Sequence, residues 1–215
     1  LNQIPSIKKT LVFAYNKKVE INLKEYINFD EVLDQTEADE SFERFEFNHP
    51  IYILYSSGTT GKPKCITHSA AGVYLKAVAE HRYQFDTKPG DKVFFYTTCG
   101  WMMWNWLATG LGAGATIVLF DGQPMYPNPA RLFDIAQDEK LDFFGVSAKF
   151  IDSAAKADLK PMQSHDLSNL KVIASTGSVL APESFASCLR SLVSISIPWI
   201  IKSIPYILSA LICYF

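Results

Sequence analysis

The sequence IYILYSSGTTGKPK occupies residues 51–64 and decides how the surrounding chain folds. Its first part, Ile51–Tyr55, is an apolar run of β-branched and aromatic residues, which is typical of a strand. A Ser/Thr/Gly loop at Ser56–Gly61 ends that run, and Cys65–Thr67 has the composition of a returning strand. We therefore predict two strands that present a polar loop between them.

The segments that flank this hairpin alternate between strand and helix patterns. Before it, residues 7–15 suggest a short strand and residues 25–47 an acidic, solvated helix and loop. After it, the predicted helices are 69–84, 101–111, 129–140 and 148–157, with Pro182 in the first turn of another, and the predicted strands are 93–97, 115–120, 142–146 and 170–175. This alternation predicts an α/β fold with a mostly parallel sheet flanked by helices. Ligands then bind in the loops after the carboxyl ends of the strands.

Composition excludes several classes of protein. Apolar residues make up 48% and charged residues 20% of the chain, which argues against disorder. The net charge of −2 gives no attraction to nucleic acid. The four cysteines (Cys65, Cys99, Cys188 and Cys213) and four histidines lack the spacing of a zinc site, which argues against structural zinc. We expect the cysteines to be free thiols in a reducing, cytoplasmic compartment. The chain starts with Leu1 and has no signal-peptide pattern, and we expect a fragment or a processed chain.

The loop has the composition of a phosphate-binding site. Four hydroxyls, two glycines and two lysines fall within residues 56–64. Glycine lets the backbone approach a ligand, while hydroxyls, N–H groups and ammonium groups donate to phosphate oxygens. The pattern is not a Walker loop, because Ser56 replaces its first glycine and Pro63 replaces its magnesium-binding hydroxyl.

The segment from Tyr55 to Lys64 resembles the signature of the adenylate-forming superfamily at every defined position. In that superfamily an acid attacks the α-phosphorus of ATP, which gives an acyl-adenylate and pyrophosphate. The resemblance implies that the following residues bind the ATP phosphates: Ser56, Ser57, Gly58, Thr59, Thr60, Gly61, Lys62 and Lys64. Lys62 occupies the variable position of the signature and is expected to face solvent.

Four further segments resemble acetoacetyl-CoA synthetases within this superfamily: residues 48–57, 97–106, 143–148 and 174–178. The resemblance implies that Trp101 and Met102 line the acyl pocket. It also implies that Gly177, Ser178 and Val179 meet the adenine ring, with only backbone contact transferable. In the tryptophan-rich stretch (residues 97–106), core packing is the alternative for Met102 and the expectation for Met103, Trp104 and Trp106. His68 is expected to be a surface or hinge residue.

The resemblance identifies the chain as part of the large N-terminal domain of an adenylate-forming enzyme. It implies a ligase that uses ATP, Mg²⁺ and CoA to convert acetoacetate to acetoacetyl-CoA, in lipid and ketone-body metabolism. An acetyl- or other short-chain acyl-CoA synthetase is the alternative within this class. A catalytically dead nucleotide-binding remnant is the alternative from another class. The expected partners are these small molecules, with neither nucleic acid nor membrane.

The predicted domain covers residues 1–186, and residues 187–215 form an atypical apolar tail. All 22 acidic residues precede the tail, which carries only Arg190 and Lys202. A reading-frame change is favoured over a weakly membrane-interacting tail, because the uncharged run after Lys202 is shorter than the ~20 residues of a membrane span. The family's late carboxylate and lysine have no counterpart, so no catalytic residue and no metal ligand is assigned. The chain alone is expected to be inactive.

Overall fold

The computed structural model describes residues 4–13, 26–56, 61–184, 186 and 200–203, which divide into two compact units. The first unit precedes residue 46 and contains the parallel strands β1 (Leu11–Val12) and β2 (Ile27–Asn28), followed by helix α1 (Phe29–Gln35). The side chain of Asn28 caps α1 by accepting a hydrogen bond from the backbone N–H of Asp30 at 3.0 Å. No residue of α1 is buried, which confirms the prediction of a solvated helix.

The second unit begins with the predicted hairpin. Strand β3 (Pro50–Ser56) pairs antiparallel with β4 (Lys64–Ser69), which continues directly into helix α2 (Ala70–Ala79). The predicted helix 69–84 is α-helical only as far as Ala79, and Glu80–Gln84 forms a π-helical turn. There the backbone N–H of Phe85 donates to the carbonyl of Glu80, five residues earlier, at 3.1 Å.

A five-stranded parallel sheet follows, with the strand order β6-β5-β7-β8-β9. Its strands are β5 (Lys92–Phe95), β6 (Thr116–Val118), β7 (Phe143–Ser147), β8 (Val172–Thr176) and β9 (Ile200–Ser203). The connections carry α3 (Met102–Thr109), a 3₁₀ turn (Gly110–Ala113), α4 (Arg131–Asp138), α5 (Ala148–Lys156) and α6 (Pro161–Ser164). The predicted α/β class is confirmed. Strand β9 lies within the expected tail, whose boundary at residue 186 stays a prediction.

Hydrophobic clusters cover both faces of this sheet. Strand residues alternate between them, so that Phe94, Phe144 and Ile173 pack with α4 and α5. On the other face Phe95 and Phe143 pack with the buried residues of α2 and α3. Both faces are therefore apolar, as a parallel sheet between helices requires.

Charged side chains tie the amino edge of the sheet together. The Lys171 ammonium lies 2.8 Å from an Asp91 carboxylate oxygen and 2.8 Å from an Asp142 carboxylate oxygen. The other oxygen of Asp142 accepts the backbone N–H of Lys92 at 2.8 Å. These bonds link the starts of β5, β7 and β8 and raise the pKa of Lys171, chiefly through the hydrogen bond to Asp142. We call this group the amino-edge clasp.

Candidate functional site

The hairpin holds the two ends of the signature loop together. Ser56 pairs with Lys64 in the last register position of β3 and β4. The predicted phosphate-binding residues Ser57, Gly58, Thr59 and Thr60 lie outside the described residues. Because β3 and β4 remain paired up to Ser56 and Lys64, the loop starts and finishes at adjacent points of the backbone.

Gly61, Lys62 and Lys64 are exposed at this end of the hairpin. Among the described residues, none lies within 4 Å of a Cβ placed on Gly61, which leaves this side of the backbone open to a ligand. Within the described part of the chain, neither lysine forms an ion pair. Both ammonium groups are therefore available to a polyphosphate.

The two faces of β3 differ in what covers them. Ile51, Ile53 and Tyr55 are exposed on one face. Tyr52 and Leu54 point to the other face, where they form part of the wall of a cleft. Strand β3 therefore both leads into the signature loop and forms part of the wall of this cleft.

This cleft has a volume of about 30 Å³, which is room for about one water molecule, and lies between the hairpin, α2 and α3. Its walls are Tyr52, Leu54 and His68 from the hairpin, Val73, Lys76, Ala77 and Glu80 from α2 and the π-helical turn, and Met102, Asn105 and Trp106 from α3. The surface that these residues expose to the cleft is almost entirely apolar. We call it the hairpin cleft.

The hairpin cleft contains a buried ion pair. The side chain of Glu80 is only 2% exposed and is bonded to the ammonium of Lys76, one helical turn earlier. An unpaired carboxylate at this depth would be strongly destabilising, so Lys76 is needed to neutralise it. The pair carries no net charge, and its polar atoms are almost absent from the surface of the cleft.

His81, next to Glu80, is fully buried and supports the cleft from behind. Its ring stacks on Trp106 with centroids 4.0 Å apart, and its Nε2 lies 3.1 Å from the Trp106 carbonyl oxygen. Burial lowers the pKa of His81, which keeps the ring neutral with Nε2 donating to that carbonyl. Nδ1 has no hydrogen-bond partner within the described residues. His81 therefore fixes the position of Trp106.

The residues of the tryptophan-rich stretch differ in their surroundings, which are the core, the hairpin cleft or solvent. Trp106 is 6% exposed and packs against Phe85, Phe95 and Phe143, as expected for one tryptophan of the stretch. Met102 lines the hairpin cleft. Trp101 precedes α3, is 70% exposed and is not among the residues that line this cleft. Its role in an acyl pocket stays a prediction.

The predicted adenine-binding segment follows β8 at the carboxyl edge of the sheet. Gly177 adopts a φ of +91°, which a residue with a side chain rarely adopts. Ser178 and Val179 are exposed, so their backbone groups are accessible. In a parallel sheet this edge also holds the loops that follow β5 and β7. The segment is therefore at the edge where ligands bind in such folds.

The described residues contain no group of three or more His, Cys, Asp or Glu side chains that could hold a metal ion. No residue is assigned to Mg²⁺. Cys65 and Cys99 are exposed free thiols, whereas Cys188 and Cys213 lie outside the described residues. Among the described helices, none combines the length and the apolar composition that a membrane span needs.

Sequence reasoning missed three polar residues of the hairpin cleft. Lys76, Glu80 and Asn105 come from helices that are separate in the sequence, and none belongs to the signature. The only available signal was periodicity, which places Lys76 and Glu80 on one helix face and Asn105 one turn after Met102. Periodicity alone gives no reason to expect that these two faces meet.

Comparison with known proteins relates this arrangement to a family. A family described as AMP-binding enzyme matches residues 5–196. Acetoacetyl-coenzyme A synthetase of Rhizobium meliloti (strain 1021) is 54% identical over 145 residues, which is 67% of this chain and 22% of that protein. Malonamoyl-CoA synthetase vrtB of Penicillium aethiopicum is 43% identical over 152 residues, which is 64% of this chain and 21% of that protein.

A solved structure has the same fold. Acetoacetyl-CoA synthetase from Streptomyces lividans superposes with a TM-score of 0.83 at 33% sequence identity. The match covers 94% of this chain and 31% of that one. The chain thus spans between about a fifth and a third of the length of these proteins.

Proposed function

Because the chain belongs to the AMP-binding enzyme family, we propose that it supplies the phosphate-binding and acyl-binding part of a ligase that activates acetoacetate. The observation that carries this proposal is the hairpin itself, which joins the signature loop to one wall of an apolar cleft. The hairpin brings the two ends of the signature loop to adjacent backbone positions, as a loop that closes around ATP phosphates requires.

In the proposed reaction, a carboxylate oxygen of acetoacetate attacks the α-phosphorus of ATP. The bond between the α-phosphorus and the bridging oxygen breaks, and pyrophosphate leaves. Lys64 and the loop N–H groups hold the charge that develops on this leaving group. The thiol of CoA then attacks the acyl carbon, which releases AMP and gives acetoacetyl-CoA.

The family uses ATP, Mg²⁺ and CoA, and we include ATP and CoA as co-substrates of this protein. Mg²⁺ neutralises phosphate charge in such reactions. Without assigning the metal to any residue, the proposal gives Lys62 and Lys64 the role of contacting the phosphates. A reducing, cytoplasmic location belongs to the same proposal, because Cys65 and Cys99 are exposed free thiols.

The names of two relatives limit the acids that we propose as substrates. Their names specify acetoacetyl and malonamoyl products, and both acyl groups carry a carbonyl at C3. They differ in the group beyond that carbonyl, which is a methyl in one and an amino group in the other. A malonamate-type acid is therefore the second candidate substrate.

Acid-dependent exchange of pyrophosphate into ATP tests the proposal, in a full-length ligase that carries this segment. Acetoacetate is expected to support faster exchange than acetate at equal concentration. Faster exchange with acetate would favour a general short-chain acyl-CoA synthetase instead. No exchange with any short acid, together with no ATP-induced rise in the melting temperature, would support a catalytically dead remnant.

A further inference from the structure

A serine, a histidine and an aspartate form a chain of hydrogen bonds where α4 and α6 meet. Ser164 is the last residue of α6, His165 follows it directly, and Asp134 lies on α4. The Oγ of Ser164 lies 2.7 Å from Nδ1 of His165, and Nε2 of His165 lies 3.0 Å from Oδ1 of Asp134. Both distances are those of hydrogen bonds. We call this group the α4–α6 triad.

The charge of Asp134 determines where the protons of the triad lie. The hydrogen bond from His165 is the largest of the effects that lower the pKa of Asp134, so its carboxylate is ionised and only accepts hydrogen bonds. Nε2 of the neutral ring therefore carries the proton, and Nδ1 presents its lone pair to Ser164. The Ser164 hydroxyl then donates to Nδ1, because the carbonyl oxygens of Lys160 and Pro161 are farther from it, at 3.4 Å and 3.5 Å.

Neighbouring side chains hold the histidine and the aspartate in place. Nδ2 of Asn128 lies 3.3 Å from the second carboxylate oxygen of Asp134, and Nη1 of Arg131 lies 3.9 Å from the same oxygen. The side chain of His165 is only 9% exposed, and its ring lies beside that of Phe133 with centroids 6.2 Å apart. The imidazole is therefore oriented from one side by a carboxylate and from another by an aromatic ring.

Ser164 differs from its two partners, because it is exposed. A small molecule in solution can reach its hydroxyl, while the ring that accepts its proton is largely removed from water. A serine bonded to a base that a third group orients is the arrangement of nucleophilic catalysis, which is recognised by geometry and not by sequence order. The ligase reaction proposed above gives none of these three residues a role.

We infer that Ser164 is a nucleophile, activated by His165 and positioned through Asp134, that accepts acyl groups from small activated carboxylic esters. Its Oγ attacks the ester carbonyl carbon, and its proton passes to Nδ1 of His165. The bond from that carbon to the leaving oxygen breaks, the leaving alcohol takes the proton, and Ser164 carries the acyl group as an ester. A water molecule that gives its proton to the same Nδ1 then hydrolyses this ester, which releases the acid and restores the serine.

A fluorophosphonate probe tests the serine directly, because its phosphorus bonds to an activated serine oxygen with loss of fluoride. In the full-length ligase that carries this segment, peptide mass mapping is expected to find the label on Ser164. Ser168, an exposed serine of the following loop, is the internal control and should stay unlabelled. Hydrolysis of p-nitrophenyl acetate then measures turnover. Neither assay uses ATP or acetoacetate, so the result is independent of the proposed ligase function.

Ser164→Ala should lower this hydrolysis about 10-fold or more, while Ser168→Ala should keep the wild-type rate. Asp134→Asn should slow the labelling of Ser164 about 10-fold or more, because an amide no longer fixes the proton on Nε2. His165→Gln should slow it at least as much, since glutamine is not a base. Melting temperatures identify the variants that remain folded.

A wild-type ligase without label on Ser164 would overturn the inference, whatever the variants do. Equal labelling of Ser164 and Ser168 would also overturn it, because the triad would then give no activation. So would a folded Asp134→Asn or His165→Gln variant that is labelled at the wild-type rate, since the two side chains would then only join α4 to α6.

Discussion

Lys62 and Lys64 lie two positions apart in the same loop, yet they are expected to contribute differently. Lys64 is a defined position of the signature, while Lys62 occupies its variable position. Both are exposed and form no ion pair with the described residues, so neither substitution should disturb the fold. The pair therefore offers an internally matched test of the phosphate site.

Lys64→Gln is expected to weaken ATP binding by about 10-fold or more, because it removes a charge-assisted hydrogen bond. Lys62→Gln should change ATP affinity by less than about 3-fold, the range of an exposed charge. Isothermal titration calorimetry of both variants against ATP measures the difference. Equal losses in the two variants would contradict the assignment of Lys64 as the specific ligand.

His81 makes stability depend on pH. Its pKa is lowered below 6.5 by burial, so the unfolded chain binds a proton at a higher pH than the folded chain does. The free energy of unfolding is then fully retained above pH 6.5 and falls as the pH drops from 6.5 toward the lowered pKa. Urea denaturation at several pH values across this window measures the loss.

His81→Gln should reduce that loss between neutral and mildly acidic pH, since glutamine keeps an N–H donor for the Trp106 carbonyl but does not titrate. An unchanged slope in His81→Gln would show that another group causes the acid sensitivity.

Individual residues of the site could be predicted only where they belong to a linear pattern. The signature predicted a phosphate-binding role for Lys64, and the resemblance of the tryptophan-rich stretch predicted an acyl-pocket role for Met102; both roles stay predictions, and Met102 lines the hairpin cleft. Glu80 could not be recognised, because a glutamate on a helix is normally solvated. Its burial results from packing between elements that are distant in the sequence, which no local pattern records.

At the scale of elements, hydrophobic periodicity was sufficient to locate helices and strands. The hairpin, α2 and the strands β5 to β8 all lie within predicted segments or within a few residues of them. The π-helical turn at Glu80–Gln84 escaped prediction, because an extra residue in one turn leaves the apolar pattern almost unchanged. That turn carries two buried residues, Glu80, which lines the cleft, and His81.

Gly145 shows how one element constrains its neighbour. It pairs with Phe95 of the adjacent strand, and a Cβ on Gly145 would lie 2.1 Å from the Phe95 ring. Gly145→Ala is therefore expected to destabilise the fold by about 1–3 kcal/mol through overpacking. Gly100→Ala is the matched control, because its Cβ would meet only Thr98 Oγ1 at 3.8 Å. Urea denaturation compares the two, and equal stabilities would contradict the packing described for β7.

At the scale of the whole molecule, the parallel sheet brings distant segments to one edge. The segment Gly177–Val179 follows β8, and Trp101 follows β5, at the same edge. The alternation of strands and helices predicted this convergence, since parallel strands all finish on one side. The distances between the loops could not be predicted, because they depend on strand order and side-chain packing.

Gly177→Val tests the role of this edge in nucleotide binding. A β-branched residue is strained at a φ of +91°, so the segment must change its backbone path. ATP affinity is expected to fall about 10-fold, in line with ~1–2 kcal/mol of left-handed strain. Ser178→Ala should bind ATP normally, because only backbone contact is proposed there. Calorimetry decides between them, and a loss confined to Ser178→Ala would refute backbone recognition.

The amino-edge clasp has a consequence for engineering. Lys171, Asp91 and Asp142 join β5, β7 and β8 at the edge opposite the candidate site, so strand register is secured independently of the ligand-binding loops. Loop exchange between relatives can therefore be confined to the carboxyl edge, for example by transplanting residues 97–101 from a ligase of different acid preference. A library built in this way varies selectivity while the scaffold that carries it is inherited unchanged.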